Sequence, residues 1–192
     1  MTSAVGICNE ALSHFNASHI STLDEATNEA IECKRFYATE RDALLSQSTW
    51  HFARKRLTLA MLAEEPNDEW GFEYAMPSDC LKALRVGPPF DERIAPEPFL
   101  IFGSSVFCNI GTAEMVYVAR VEDPSRFPPL FAKALSYRIA ASIIMPIAKD
   151  ENKRRLIEAL AQDWVSRAIA DDLNSDPSRA RRAFPALAAA RW

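Results

Sequence analysis

The chain has 192 residues, of which 48% are hydrophobic and 25% are charged. This composition is typical of a globular protein and excludes wholesale disorder, a collagen-like repeat and a generic coiled coil. The net charge of −4 disfavours a protein that binds nucleic acid over its whole surface. Twelve prolines against five glycines also disfavour a glycine-rich phosphate-binding loop.

Two further features limit the class of protein. The four cysteines are scattered, with no CxxC pair, which predicts reduced thiols that pack as small buried side chains. The most apolar run, residues 139–148, contains Pro146 and has only about half of the roughly 20 residues that a membrane span needs. We therefore expect no helix that crosses a membrane.

Two helices are predicted in the N-terminal quarter. Apolar residues between Ser3 and Phe15 recur at helical spacing, which predicts a short amphipathic helix. Thr22 and Glu25 fit a capping box, so a long second helix is expected to begin there. Its predicted apolar stripe consists of Ala26, Ala30, Cys33, Tyr37 and Leu44, opposite the polar residues Glu29, Glu32, Arg35 and Asp42.

The middle of the chain has the pattern of a small antiparallel β module. Residues 57–61 and 70–76 alternate between large apolar and other side chains, which predicts strands. The short apolar runs 99–102, 106–110 and 115–121 are separated by turn residues and predict further strands. The expected hairpin turns contain Gly103 and Gly111.

Helical periodicity returns after Pro129. The run from residue 130 to 148 is apolar on nearly every face, and Pro146 is expected to end or kink the helix. A last amphipathic helix is predicted for residues 153–173, with Leu156, Leu160 and Trp164 facing inward.

These elements predict an α+β fold that is mainly α. Because the two helical regions flank the β segment, the simplest arrangement is a four-helix bundle with a small antiparallel β module inserted between helices two and three, plus an extended C-terminal tail. The predicted domains are residues 1–49 with 128–175 for the bundle, 50–127 for the β module and 176–192 for the tail.

Patterns of catalytic or metal-binding residues are weak. His14 and His19 do not share a helix face, and neither an HExxH motif nor paired cysteines accompany them. The acidic pairs 24–25 and 171–172 are adjacent residues, which diverge in direction on a helix. We therefore expect no enzyme, no metal ion and no cofactor.

One basic cluster, Arg54-Lys55-Arg56, follows the aromatic residues 50–52. This combination is compatible with a small module that binds single-stranded nucleic acid. In a strand, however, Arg54 and Arg56 would share one face and Lys55 would lie on the other. The acidic chain favours a structural or subunit contact through Arg54 and Arg56, with nucleic-acid binding as the alternative.

The C-terminal tail is rich in residue types that anchor protein interfaces. We interpret it as a docking peptide held by another subunit or protein, and the alternative is a tail that folds back on its own helices. The docking residues would be Arg179, Arg181, Arg182, Phe184, Arg191 and Trp192.

An ordered set of motifs resembles a known family. The motifs are TERDALL at 39–45, WHFA at 50–53 followed by Arg56 and by Leu-Ala at 59–60, and YAMPSDCLK at 74–82. In this order they resemble the head-to-tail adaptor family of tailed bacteriophages, which includes the tail tubular protein A of short-tailed phages. The resemblance covers most of residues 3–175, with Met76 at a position where the family usually has leucine.

The resemblance implies an assembly role without catalysis. Such a protein would be a virion protein, made in the host cytoplasm, that forms a ring of twelve copies between the portal protein of the head and the tail nozzle protein. Genomic DNA would pass through the lumen without sequence-specific binding, and no membrane is involved. The C-terminal extension would grip the portal. Acidic groups facing the lumen would repel phosphates and let DNA slide.

Overall fold

The structure, a computed structural model, describes residues 3–64, 66–89 and 97–175. In these ranges the chain is α+β, with four α-helices and two antiparallel sheets, and roughly half of it is helical. The helices are α1 (Ala4–Ser13), α2 (Asn28–Gln47), α3 (Pro129–Ala148) and α4 (Glu151–Asn174). The strands are β1 (Arg54–Thr58), β2 (Met61–Glu64), β3 (Phe72–Ala75), β4 (Cys80–Gly87), β5 (Phe99–Phe102), β6 (Ser105–Cys108) and β7 (Glu114–Ala119).

The described residues divide into two compact units. Of the described residues, the helical unit contains 3–52 and 121–175, and the β unit is Ala53–Arg120. The predicted boundaries at 49/50 and 127/128 lie three and seven residues from these divisions. Each unit has its own buried core.

The start of α2 corrects the predicted capping box. The carboxylate of Glu25 accepts the backbone N–H of Thr22, as the box requires, but the helix begins six residues later at Asn28. Thr27 is the residue that caps it, because its hydroxyl accepts the N–H of Ala30 at 3.3 Å. The Thr22–Glu25 bonds therefore stabilise a turn that precedes the helix. Glu32, predicted to face solvent, is buried, and its carboxylate pairs with Arg35 at 3.1 Å.

α3 is the central helix of the helical unit. It contacts α1, α2 and α4, and its buried side chains cover most of its circumference, as its uniformly apolar sequence predicts. Pro146 lies inside the last turn, and the helix continues to Ala148. Lys149 then ends it in a left-handed conformation (φ 54°), with its N–H donated to the carbonyl of Ile144.

α3 also has the length and composition of a membrane span. Among the described helices it alone meets both criteria, with 20 residues and a mean hydropathy of 1.4, and half of the apolar stretch is buried in the structure. Core helices of globular units share these features. The expectation that no helix is long and apolar enough is therefore wrong for α3, and the expectation that none crosses a membrane stays a prediction.

The inward face of α4 differs from the predicted one. The buried residues are Ile157, Ala161, Val165 and Ala168, whereas Leu156 is 61% exposed. The helix is amphipathic with the predicted period, but its buried stripe begins one residue later. The α4 side chains that face inward are therefore small or β-branched.

The β unit contains a three-stranded sheet in the order β1-β7-β4 and a four-stranded sheet in the order β2-β3-β6-β5. Side chains from both sheets form one core that includes Tyr74, Val86, Val106 and Met115. All neighbouring strands are antiparallel. The predicted antiparallel β segment is thus present, as two sheets that share a core.

Three details of the strand prediction are wrong. The alternation over 57–61 does not form one strand, because β1 ends at Thr58 and β2 begins in the other sheet at Met61. The longest strand, β4, was not predicted, because two bulges interrupt the alternation of its side chains. Gly111 connects the two sheets rather than turning a hairpin, whereas Gly103 does turn the β5–β6 hairpin with φ 60°.

Candidate interaction surfaces

The WHFA motif supplies an aromatic cluster to the helical unit. Trp50 is almost completely buried and donates its indole N–H to the carbonyl of Leu44 at 2.9 Å. The Trp50 ring packs edge-on against the Phe131 ring at a centroid distance of 5.0 Å. The Phe52 ring also packs against Phe131, at a centroid distance of 4.9 Å. The cluster joins the segment after α2 to the first turns of α3, so these motif residues stabilise the fold.

His51 and Asp172 form a pair that the sequence did not predict. The Asp172 carboxylate accepts the backbone N–H of His51 and lies 2.9 Å from its ring Nδ1. The pair borders a cavity of about 200 Å³ that is lined mainly by aromatic and aliphatic side chains, among them Trp50 and Leu130. The two residues are 121 positions apart, so their proximity follows only from how α4 packs.

Carboxylates neutralise two of the three cations in the basic cluster. Lys55 Nζ lies 2.6 Å from an oxygen of Asp79, and Arg56 Nε lies 3.8 Å from Glu114. On β1, Arg54 and Arg56 lie opposite alternate residues of β7, as strand geometry predicts. The pairing lowers the positive charge available to phosphates, so it favours the structural interpretation over the nucleic-acid module, which stays a prediction.

Asp79, in the YAMPSDCLK motif, joins three strands of the β unit. Its carboxylate accepts the hydroxyl of Tyr117 at 2.9 Å and pairs with Lys55, and its backbone carbonyl accepts the N–H of Arg120 at 2.7 Å. Partial burial raises the pKa of the Asp79 carboxyl, but the Lys55 and Tyr117 hydrogen bonds outweigh it and hold that pKa below its ordinary value of 3.8. Burial, with the neighbouring Asp79, raises the pKa of Tyr117 to about 12.

Replacing Asp79 with asparagine should therefore destabilise the protein at neutral pH by about 1 kcal/mol, since the pair with Lys55 is partly exposed and loses its charge. Because the folded-state pKa of Asp79 is lowered, its contribution is present above pH 3.8 and is lost as the pH falls through the folded pKa. Urea denaturation at pH 7 and at pH 3 should show the difference between wild type and Asp79→Asn shrink at the lower pH.

Glu122→Gln is the matched control, since it removes one negative charge from an exposed position just outside the β unit. Its effect should stay within about 0.5 kcal/mol. An equal loss in both variants would mean that net charge, and not the Lys55–Asp79–Tyr117 contacts, causes the change.

A stack of three rings lies on the surface of the helical unit. Tyr137 of α3 stacks on His14 at 3.8 Å and on Trp164 of α4 at 6.1 Å. Lys133 lies over the rings of Tyr137 and Trp164 and pairs with Glu10 at 2.6 Å. Burial, followed by the charge of Lys133, lowers the pKa of His14. His14 therefore packs as a neutral aromatic side chain, and His19 instead lies 2.8 Å from the hydroxyl of Ser13.

Large apolar side chains are exposed mainly on the strands of the β unit. Of the nine such residues in the described ranges, six belong to β1, β2 and β5. They are Leu57, Met61, Leu62, Leu100, Ile101 and Phe102, and Phe102 is 75% exposed. These three strands are edge strands of the two sheets, and exposed apolar edge strands are typical of sites where another chain pairs. Composition gives no sign of this exposure, because the same residue types are buried elsewhere in the sheets.

The tail residues, Arg179 to Trp192, lie outside the described ranges. In those ranges no group of three or more His, Cys, Asp or Glu side chains could hold a metal ion. The four cysteines are free thiols, and the prediction that they are buried is confirmed for all but Cys80, which is half-buried.

Compared with models of known protein families and with curated protein sequences, the chain gives no match.

Proposed function

We propose that the chain is a structural subunit of the connector ring between the head and the tail of a bacteriophage. The ordered motifs at 39–45, 50–53 and 74–82 support this role, and so does the position of their residues. Trp50 and Asp79 make structural contacts, and no step of a reaction is needed to explain either. The partners proposed are further copies of the chain in a ring of twelve, the portal protein, the nozzle protein and DNA in the lumen.

The observation that carries the proposal is the exposed apolar surface of the β unit. Six large apolar side chains on three short strands are exposed in an isolated chain. Such a surface is costly in water and is expected where another protein covers it. A ring subunit needs lateral contacts of this kind on a rigid body.

The finer fold proposed for this role is a four-helix bundle with the β unit inserted between α2 and α3. The contacts of α3 with the three other helices support the bundle. The order of elements supports the insertion, since all seven described strands follow α2 and precede α3. The insertion would present the β unit to neighbouring subunits while the helices supply the body.

Co-expression with the portal protein encoded in the same genome tests the proposal. The full chain should co-purify with the portal and appear in electron micrographs as a ring stacked on it. A chain ending at Ser175 should keep its helical circular dichroism, because Ser175 already caps α4 through the carbonyl of Asp171, but it should fail to join the portal. The removed residues 176–192 are the proposed portal-docking tail.

The control is Arg167→Ala, which removes an exposed arginine of α4 outside the tail and should leave docking unchanged. A full chain that never forms a ring with the portal would contradict the connector role. Normal docking by the truncated chain would contradict only the role of the tail.

A further inference from the structure

The four-stranded sheet has two edges of matching chemistry in the described ranges. At one edge lies β2 and at the other β5, each four residues long. Both edges carry exposed apolar residues: Met61 and Leu62 on β2, and Leu100 and Ile101 on β5. Proteins usually protect sheet edges with charges, prolines or short strands, so an apolar edge indicates a pairing partner.

The directions of the strands allow one edge to pair with the other. Each neighbouring pair in the sheet is antiparallel, so across four strands β2 and β5 run in opposite directions. If a second copy of the chain continues the sheet in the same orientation, its β2 lies antiparallel to β5 of the first copy. The contact therefore adds an ordinary antiparallel pair to the sheet.

One row of side chains fixes the register of this pair. Met61, Tyr74, Val106 and Ile101 are direct partners across the four strands and so share one face. The two inner members, Tyr74 and Val106, are buried, whereas Met61 and Ile101 at the ends of the row are each 41% exposed. A second copy that placed its Met61 opposite Ile101 would continue the buried row.

Leu62 and Leu100 are the next residues on the two edges, and their side chains are 58% and 45% exposed. The register of β2 against β3 shifts between Met61 and Ala63, so Leu62 lies in a β-bulge. Because a bulge interrupts regular pairing, only the pair of Met61 with Ile101 is assigned. Leu62 and Leu100 add exposed apolar side chains beside it.

We propose that β5 of one copy pairs with β2 of the next, with Ile101 opposite Met61. The contact joins two different surfaces of the same chain, and such head-to-tail contacts form a closed ring when the rotation between copies closes and an open filament when it does not. The inference rests on the proposed function for ring closure, but the edge pairing itself is measurable without the portal. The occupant of each edge is thus a second copy of this chain.

Cysteine cross-linking of the full chain tests the pairing. In the double variant Ile101→Cys and Met61→Cys, the two new thiols of one chain lie three strand spacings apart, about 14 Å, too far for an internal disulfide. Oxidation with copper phenanthroline should give a ladder of dimers, trimers and higher species that collapses on reduction. Each single variant and the wild-type chain should remain monomeric on the gel.

The control for register is Phe102→Cys with Met61→Cys. Phe102 is exposed but lies on the opposite face of β5 from Ile101, so the yield should be at least several-fold lower. Dimers formed by Ile101→Cys alone would overturn the proposal, because β5 would then pair with itself. Absence of the ladder would overturn it as well, whether or not rings form on the portal. A ladder from a chain that never joins the portal would support the edge pairing and contradict only the connector role.

Discussion

Replacing Phe131 with alanine should lower the free energy of unfolding of the helical unit by about 3–5 kcal/mol. Phe131 is 1% exposed at the start of α3, and its ring contacts those of Trp50, Phe52 and Phe127 at centroid distances of 4.9 to 5.0 Å. Alanine leaves a cavity that three large rings cannot fill without rearrangement. Urea denaturation followed by tryptophan fluorescence and circular dichroism measures the loss.

The matched control is Leu156→Ala in α4. Both changes truncate a large apolar side chain on a helix, but Leu156 is 61% exposed, so its loss should cost less than about 0.5 kcal/mol. The helical period alone predicted Leu156 to face inward. A cost for Leu156→Ala as large as that of Phe131→Ala would contradict the α4 face found in the structure.

Replacing Glu40 with alanine should cost about 2 kcal/mol, the second largest effect that we expect. Glu40 joins α2 to α3: one carboxylate oxygen lies 2.9 Å from Arg138 Nε, and the other accepts the hydroxyl of Ser142 at 2.7 Å. The side chains of Glu40 and Arg138 are only 16% and 23% exposed. Removing the carboxylate leaves a half-buried guanidinium without this partner, and the change is measured by the same denaturation.

Glu158→Ala controls for the loss of a carboxylate that is paired with an arginine. Glu158 pairs with Arg154 within α4, and its side chain is 46% exposed, so the loss should be at most about 0.5 kcal/mol. Glu40→Gln should fall between the two alanine variants, since the amide oxygen still accepts one hydrogen bond. If Glu40→Ala costs no more than Glu158→Ala, the α2–α3 contact contributes nothing beyond an ordinary surface ion pair.

The motifs that resemble phage adaptors lie largely in the two cores and at their hydrogen-bonded turns. Trp50 and Tyr74 are buried, and Asp79 is bonded to Tyr117. Because these residues stabilise the fold, the resemblance that they carry is evidence mainly about the fold.

Local sequence was sufficient for most elements. The helical period predicted all four helices, and its return after Pro129 predicted the start of α3 within a residue. The cap of α2 was predicted at Thr22, because Thr22 and Glu25 fit a capping box, but the structure places the cap at Thr27. Bulged strand β4 lacked the alternation by which strands are recognised.

The sequence by itself determined the α+β class, the order of the helical and β segments, and the scarcity of catalytic patterns, because these depend on neighbours within about four residues in the chain. The tertiary structure decided which face of α4 is buried, how the seven described strands divide between two sheets, and that His51 meets Asp172. It also decided that apolar residues of β2 and β5 are exposed at two opposite edges. These features depend on contacts between residues far apart in sequence, and such contacts leave no periodic signal in a single chain.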